Sequence, residues 1–483
     1  MQINKRLYIM KNIIKSIVLA SLAMILISSC NNSTKIVPGD AIMKATLGGA
    51  NNTTVLVMEA NPFIVTPDTL KTDEQGSFVF TKYMEGSGYF ELIVGSQNRF
   101  PIYLMPGDTL FLTADMAQFE ESQKFAGTAS IYNNYITEFT KSSNDFQKGI
   151  YSKFSLPEDL AVKAIDSLRD THNSVLENLK MNNADLDPYF VEMEEARILY
   201  EWALLHNIYP MYFRYLNKTE SFEPSPEFGS YLGAVNINDS SLLSLGIYQS
   251  FLDTYVGVEM EKYYKDDVLK EANPSVIMYR LELINSLFSD DAVKQVMAYK
   301  AVMDYVRYDG IKGYDVYYDY FKEICPHEGF QNIVNGVLDK WQHLKAGKPA
   351  YEFSFVDMDE NEVKMSDFKG KYVYVDVWAT WCNPCIGEIP FLKKMEEEFK
   401  GKNIVFVSIS VDQTQEPWKA MVANDTLKGE QLWAGQAKEF SEFYKITGIP
   451  RFMLFDMDGN IIEASATRPS GGVEKQIAAL PGI

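Results

Sequence analysis

The sequence predicts a multidomain chain: an all-β sandwich or barrel first, an all-α domain in the middle, and an α/β domain last. Three observations carry this. Short runs of β-branched and aromatic residues, punctuated by turn residues, fill the stretch before residue 128. Apolar residues at helical spacing dominate from there to 345. Beyond 345, apolar strands alternate with helical segments.

The chain has 483 residues, enough for about three domains at ~150 residues each. Its apolar fraction, 46%, and charged fraction, 23%, are those of an ordinary globular protein with material for buried cores. The net charge of −20 argues against nucleic-acid binding, which needs basic stripes. It favours solubility and names no substrate.

Residues 1–29 read as a targeting segment. Lys5, Arg6, Lys11 and Lys15 precede an apolar run, Ser16 to Ser28, that is short for a membrane span. The run ends in "ISSC", Ile27 to Cys30, which resembles a bacterial lipobox. That resemblance implies cleavage before Cys30 and acylation of Cys30, anchoring the mature chain to a membrane. An uncleaved anchor and an ordinary secretory signal are the alternatives. Residues 30–37 then form a polar tether. Asn31 and Asn32 follow the lipid site with no acidic run, which in lipoprotein terms implies an outer-membrane protein facing the periplasm.

Residues 38–127 are expected to form a β domain. Thr53–Ala60, Gly76–Met84, Gly88–Gly95, Arg99–Pro106 and Asp108–Asp115 are strand candidates. Turn signals recur roughly every ten residues, the spacing of a small antiparallel sandwich or barrel.

Residues 128–345 are expected to be helical. Glu158–Asn182 carries Leu160, Val162, Ile165, Leu168, Val175, Leu176 and Leu179 on one face. Asp187–Leu216 reads as a helix broken or kinked near Pro210. Further helical runs cover about Ser240–Lys265, Pro274–Phe288, Asp290–Tyr308 and Phe330–Leu344. Their Tyr and Phe stripes read as core.

Lys345–Ala350 reads as a linker into the last domain, 346–483. There a hairpin, Tyr351–Lys371, precedes a buried strand, Tyr372–Ala379, and a helix, Ile386–Gly401. A second buried strand, Asn403–Asp412, leads to two helical segments and a hairpin, Arg451–Ala464. The expected order after the first hairpin is β-α-β-α-β-β, with a right-handed crossover between parallel strands.

The chemistry concentrates in "VDVWATWCNPCIGEIP", Val375 to Pro390. Cys382 follows a buried strand, and the pair Cys382 and Cys385 opens a helix. Unpaired N–H groups and the helix dipole there favour thiolate, the attacking species in disulfide exchange. Such sites bring a thiol to a pKa of ~7 or below, against about 8.5 unperturbed. Pro384 has no N–H to lose at this position. A zinc site would need four ligands. The four histidines, His172, His206, His327 and His343, all lie in the helical region with no HxxxH pair, so no metal is expected. A structural disulfide closing so short a loop would stabilise little. A peroxide-reducing cysteine would want a threonine three residues upstream, where Ala379 stands. Cys325, alone on an aromatic helix, reads as buried and inert.

"VDVWATWCNPC" together with "GIPRFMLFDMDGNII" resembles thioredoxin-fold proteins, in particular TlpA/ResA-like periplasmic disulfide reductases. "SDFKGK" and "CIGEIP" are further features of that branch. The resemblance covers 346–483, and the strand-rich segment before the helices resembles the β domain of many such lipoproteins. It implies that Cys382 is an exposed nucleophile and Cys385 a buried resolving thiol. It implies that Trp381 shields the pair and that Asp376 and Glu388 handle its protons. Pro450 would be cis, freeing the backbone of Ile449 to pair with substrate. Arg451 would add a charge nearby, read as exposed. The expected function is a lipid-anchored, periplasm-facing thiol–disulfide oxidoreductase that reduces protein or cofactor-linked disulfides, as in cytochrome c maturation. Its redox group would be the Cys382–Cys385 disulfide, with no other cofactor. Its partners would be protein disulfide substrates and a membrane electron donor. The alternative is a partner-binding lipoprotein with an accessory redox domain.

Overall fold

Ala41, Met43, Ala45 and Leu47 alternate with exposed or half-buried residues along Gly39–Gly48, so this strand buries one face. The computed structural model describes residues 37–483, apart from 96–97, 220–221, 265–275, 312 and 426. The signal segment, Cys30 and most of the tether lie outside the described residues.

Among the described residues, eight strands lie before the helical middle: β1 (Gly39–Gly48), β2 (Thr54–Glu59), β3 (Asp68–Lys71), β4 (Ser77–Met84), β5 (Gly88–Val94), β6 (Asn98–Leu104), β7 (Thr109–Asp115) and β8 (Lys124–Ala126), with the short helix Phe119–Ser122 between the last two. They form two four-stranded sheets, ordered β4-β1-β7-β8 and β3-β2-β5-β6. The region is not purely antiparallel as expected, because β1 and β7 pair in parallel. Strands of the other sheet lie between them in sequence and supply the long crossover that parallel pairing needs. The turn into β4 depends on Gly76, at φ +77°. A Cβ there would lie 2.2 Å from the carbonyl oxygen of Leu47.

The middle of the chain is helical, from Ser130–Lys148 to Glu328–Asp339. The helix Pro188–Asn217 runs through Pro210 without the expected break. Proline there forfeits one backbone bond. Its neighbour Tyr209 is fully buried and donates a hydrogen bond to the carbonyl of Leu156 at 2.9 Å, so tertiary packing outweighs the local loss. Helices absent from the expected set, Ser130–Lys148, Ile150–Phe154 and Tyr314–Ile324, are also present.

The C-terminal sheet uses β9 (Ser354–Val356), β10 (Glu362–Lys364), β11 (Tyr372–Trp378), β12 (Ile404–Ser410), β13 (Glu430–Trp433), β14 (Arg451–Phe455) and β15 (Ile461–Glu463). Their order is β10-β9-β13-β12-β11-β14-β15, with β11, β12 and β13 parallel. Strand β13 was not anticipated, because "EQLW" is short and only half apolar. The expected linker is held in place. The Gly347 N–H donates to the Ile461 carbonyl at 2.8 Å, and the Ala350 N–H to Gly459 at 3.0 Å.

β11 is buried along its whole length. Its period of two splits its side chains between two cores. Val373, Val375 and Val377 join the apolar cluster that continues into the helical middle and the N-terminal sheets. Tyr372 and Tyr374 pack with Leu392 and Met395 of the helix Asn383–Glu398. Asp376 has the parity of Tyr374, which places it on the face beneath that helix.

Candidate functional site

The buried strand β11 ends at Trp378, and the helix Asn383–Glu398 begins five residues later. Cys382 is its N-cap, in extended backbone, and its sulfur accepts from the Cys385 N–H at 3.2 Å. Cys382 and Cys385 form a disulfide with their Cα atoms 5.2 Å apart. Pro384 sits in the first turn, where no N–H is missed.

The turn before the pair is pinned by Asp412, which follows β12. The Thr380 hydroxyl donates to Asp412 Oδ1 at 2.7 Å, and the Thr380 N–H to Oδ2 at 3.1 Å. The Ser410 hydroxyl also donates to Asp412 Oδ2, at 2.7 Å. These bonds fix the loop that carries Trp381 and Cys382.

The expectation of an exposed Cys382 needs correction. Cys382 is 5% exposed and Cys385 3%. In the disulfide state the Cys382 sulfur turns inward to the Cys385 N–H. Both cysteines share an apolar cluster with Trp378, Trp418 and Val422. Trp381 carries the exposure, at 66%, and Ile386 stands beside the pair at the surface. Ile449 packs against the same cluster, and the Ile449–Pro450 peptide bond is cis.

Asp376 and Glu388 are both buried, in different surroundings. Burial, with the neighbouring charges of Glu388 and then Glu396, pushes the Asp376 carboxyl up to about 8. Glu388 is held by a loop far along the chain. Ser470 donates its N–H to Oε2 at 2.9 Å and its hydroxyl to Oε1 at 2.7 Å, with Arg468 Nη1 3.6 Å away.

Arg451 is not exposed as expected. It is 4% exposed and donates to Ser465 Oγ at 2.6 Å and to the Arg307 carbonyl at 3.4 Å. The start of β14 is covered by the helical region, whose helix end supplies that carbonyl. Cys325 is fully buried, and burial pushes its thiol up to about 12.

Sequence reasoning missed Asp412, Ser470, Trp418 and Glu396. Asp412 had a signal, being an acid directly after a buried strand. Ser470 had none, because it lies 82 residues from the acid it holds.

The Redoxin family model matches residues 345–479. The chain is 29% identical over 140 residues to the thiol-disulfide oxidoreductase ResA of Bacillus thuringiensis subsp. konkukian, covering 29% of this chain and 80% of the relative. It is 33% identical over 139 residues to the ResA of Oceanobacillus iheyensis, covering 27% of this chain and 70% of the relative. A crystal structure of the thioredoxin domain of a thiol-disulfide oxidoreductase from Bacteroides vulgatus is 31% identical. It covers 28% of this chain and 96% of that domain, with a TM-score of 0.27.

Proposed function

Since the chain belongs to the TlpA/ResA-like thiol-disulfide oxidoreductases of the thioredoxin family, we propose that it reduces protein disulfides in the cell envelope by exchange at Cys382–Cys385. One observation carries the reading. Cys382 caps a helix N-terminus with Cys385 in disulfide reach one turn on, directly after a buried strand.

In the reduced enzyme, the helix N-terminus stabilises Cys382 as thiolate. The Cys382 sulfur attacks one sulfur of the substrate disulfide, and the other leaves as a thiolate that takes a proton. Asp376 accepts the proton of Cys385, whose sulfur then attacks Cys382. That step forms the Cys382–Cys385 disulfide and releases the second substrate thiol. An external dithiol donor returns the pair to its reduced form. Trp381 and the backbone of Ile449 form the surface on which the substrate strand docks. A raised Asp376 pKa suits this role, since a base near working pH can both take and release a proton.

The basic start, the apolar run and "ISSC" support export and a lipid anchor at Cys30, and Asn31-Asn32 with no acidic run supports placement on the periplasmic side of the outer membrane. A membrane electron donor fits that location. The N-terminal sheets, as a β domain at 38–127, and the helical domain at 128–345 would then hold the redox domain, 346–483, away from the bilayer.

The test is insulin-disulfide reduction with dithiothreitol as donor. Wild type is expected to reduce insulin, and Cys382→Ser to lose that activity. Retention by Cys382→Ser would remove the nucleophile from this position. A reduction potential near about −120 mV, the oxidant end of the scale, would overturn the reductive direction.

A further inference from the structure

Between β11, β12, β13 and the helix Asn383–Glu398 lies a cavity of about 10 Å³. That is room for one water molecule. Its wall includes Asp376 and Trp378 of β11, Lys393 and Glu396 of the helix Asn383–Glu398, Ser408 of β12 and Gln431 of β13. Three of these residues carry a buried polar atom with no hydrogen-bond partner: Trp378 Nε1, Glu396 Oε2 and Gln431 Oε1. Leaving such atoms unpaired in a buried site is costly. One donor and two acceptors around a water-sized space are the set that a single water satisfies, accepting from Trp378 and donating to the oxygens.

A second feature leaves room for the Glu396 carboxyl. Gly429 has φ +73°, and a Cβ there would lie 2.8 Å from Glu396 Oε1 and 2.8 Å from the Phe406 carbonyl oxygen. A side chain at 429 would close the space that Glu396 occupies.

We propose that Glu396 is the outward partner of Asp376 in a proton path bridged by a water in this cavity. The inference rests on the roles given above to Cys385 and Asp376. Cys385 S–H loses its proton to the Asp376 carboxylate, which becomes a carboxylic acid. The Asp376 acid gives that proton to the cavity water as the water passes one of its own to the Glu396 carboxylate, which restores Asp376 as a carboxylate base. Glu396 then gives the proton to solvent. No electrons move in these steps. Glu396 touches neither sulfur and is a positioning residue.

The electrostatics agree with this assignment. Burial pushes the Glu396 carboxyl up to about 7, opposed by Lys428 and Lys393. Asp376 lies a little higher, near 8, raised in part by Glu388 and Glu396. Two acids with midpoints this close exchange a proton at little cost in either direction. The charged groups around the path are Asp376 of β11, Glu388, Lys393 and Glu396 of the helix, and Lys428 before β13. Lys428 is itself bonded to Glu397 at 3.1 Å.

The test compares wild type, Glu396→Gln and the surface control Glu398→Gln. It reads the pH profile of kcat/KM for insulin reduction with dithiothreitol over about pH 5 to 9. Glu396→Gln is expected to move the Asp376 inflection to lower pH, because a repelling carboxylate is gone. It should also lower kcat/KM about tenfold at neutral pH, less than the ~10²-fold or more of direct general acid–base catalysis. Glu398→Gln should follow wild type. A Glu396→Gln profile that superimposes on wild type overturns the proposal. Carboxyl ¹³C NMR titration of the reduced protein reads the same coupling without turnover. There the Asp376 midpoint falls in Glu396→Gln if the proposal holds, and an unmoved midpoint overturns it. A wild type that fails to reduce insulin would count against the parent reading alone, and the NMR titration would still decide this one.

Discussion

Ser470 grips Glu388 with two hydrogen bonds, one from its N–H at 2.9 Å and one from its hydroxyl at 2.7 Å. Each Glu388 oxygen is therefore already an acceptor, whereas Asp376 sits over a small cavity with its pKa raised. That contrast favours Asp376 as the residue that trades protons with Cys385. The neighbouring charge of Glu388 helps to raise the pKa of Asp376. Ser470→Ala removes the hydroxyl bond and keeps the backbone one. It should cost about 1–3 kcal/mol of stability, as for a hydrogen bond to a carboxylate, measured by urea unfolding. No change in the unfolding midpoint would show that the contact contributes nothing.

Asp376→Asn should change how stability depends on pH. The folded-state pKa of Asp376 is raised to about 8 from an ordinary 3.8, so between these values the folded state holds the proton more often than the unfolded state. Stability from this group is complete below about pH 4 and is lost as pH rises towards 8. The oxidised Asp376→Asn variant should match wild type near pH 4. It should exceed wild type at pH 8 by no more than about 6 kcal/mol, since roughly four tenfold differences in proton affinity separate the two states and each is worth roughly 1.4 kcal/mol. A wild type that gains on the variant as pH rises would contradict the raised pKa.

Thr380→Val should loosen the turn that carries Cys382. It keeps the backbone bond to Asp412 and removes the hydroxyl bond at 2.7 Å to a buried carboxylate. The expected cost is about 1–3 kcal/mol in unfolding free energy. A lower kcat/KM should accompany it, with the cysteine pair still fully oxidisable. Wild-type stability and kinetics together would remove Asp412 from the account.

Cys325 should be chemically silent. Its thiol is fully buried and pushed up to about 12, so it holds almost no thiolate at neutral pH. Brief iodoacetamide treatment of the reduced native protein should label Cys382 first and leave Cys325 unmodified by mass spectrometry. Labelling of Cys325 ahead of Cys382 would contradict both assignments.

The sequence showed the cysteine pair, its helix, the strand before it and the parity of Asp376, because these rest on local spacing. An apolar run followed by two cysteines at helical offset needs no tertiary information. What stayed hidden depends on contacts between distant segments. Ser470 reaches Glu388 across 82 residues, and no pattern near either one announces the other. β13 is four residues long and takes its place from pairing with β12, not from its own composition. Arg451 looked exposed because arginine usually is, yet the helical region brings a backbone carbonyl to it. Cys382 looked accessible by position, yet in the disulfide it is buried in an apolar cluster with Trp378 and Trp418.

The central claim is that Cys382 attacks and Cys385 resolves. The most direct measurement is mass spectrometry of the full chain carrying Cys385→Ser, reduced and then exposed to a disulfide-bonded peptide. A stable mixed disulfide between the peptide and Cys382 is expected, absent in the Cys382→Ser, Cys385→Ser double variant. A mixed disulfide at Cys325, or none at Cys382, would contradict the claim.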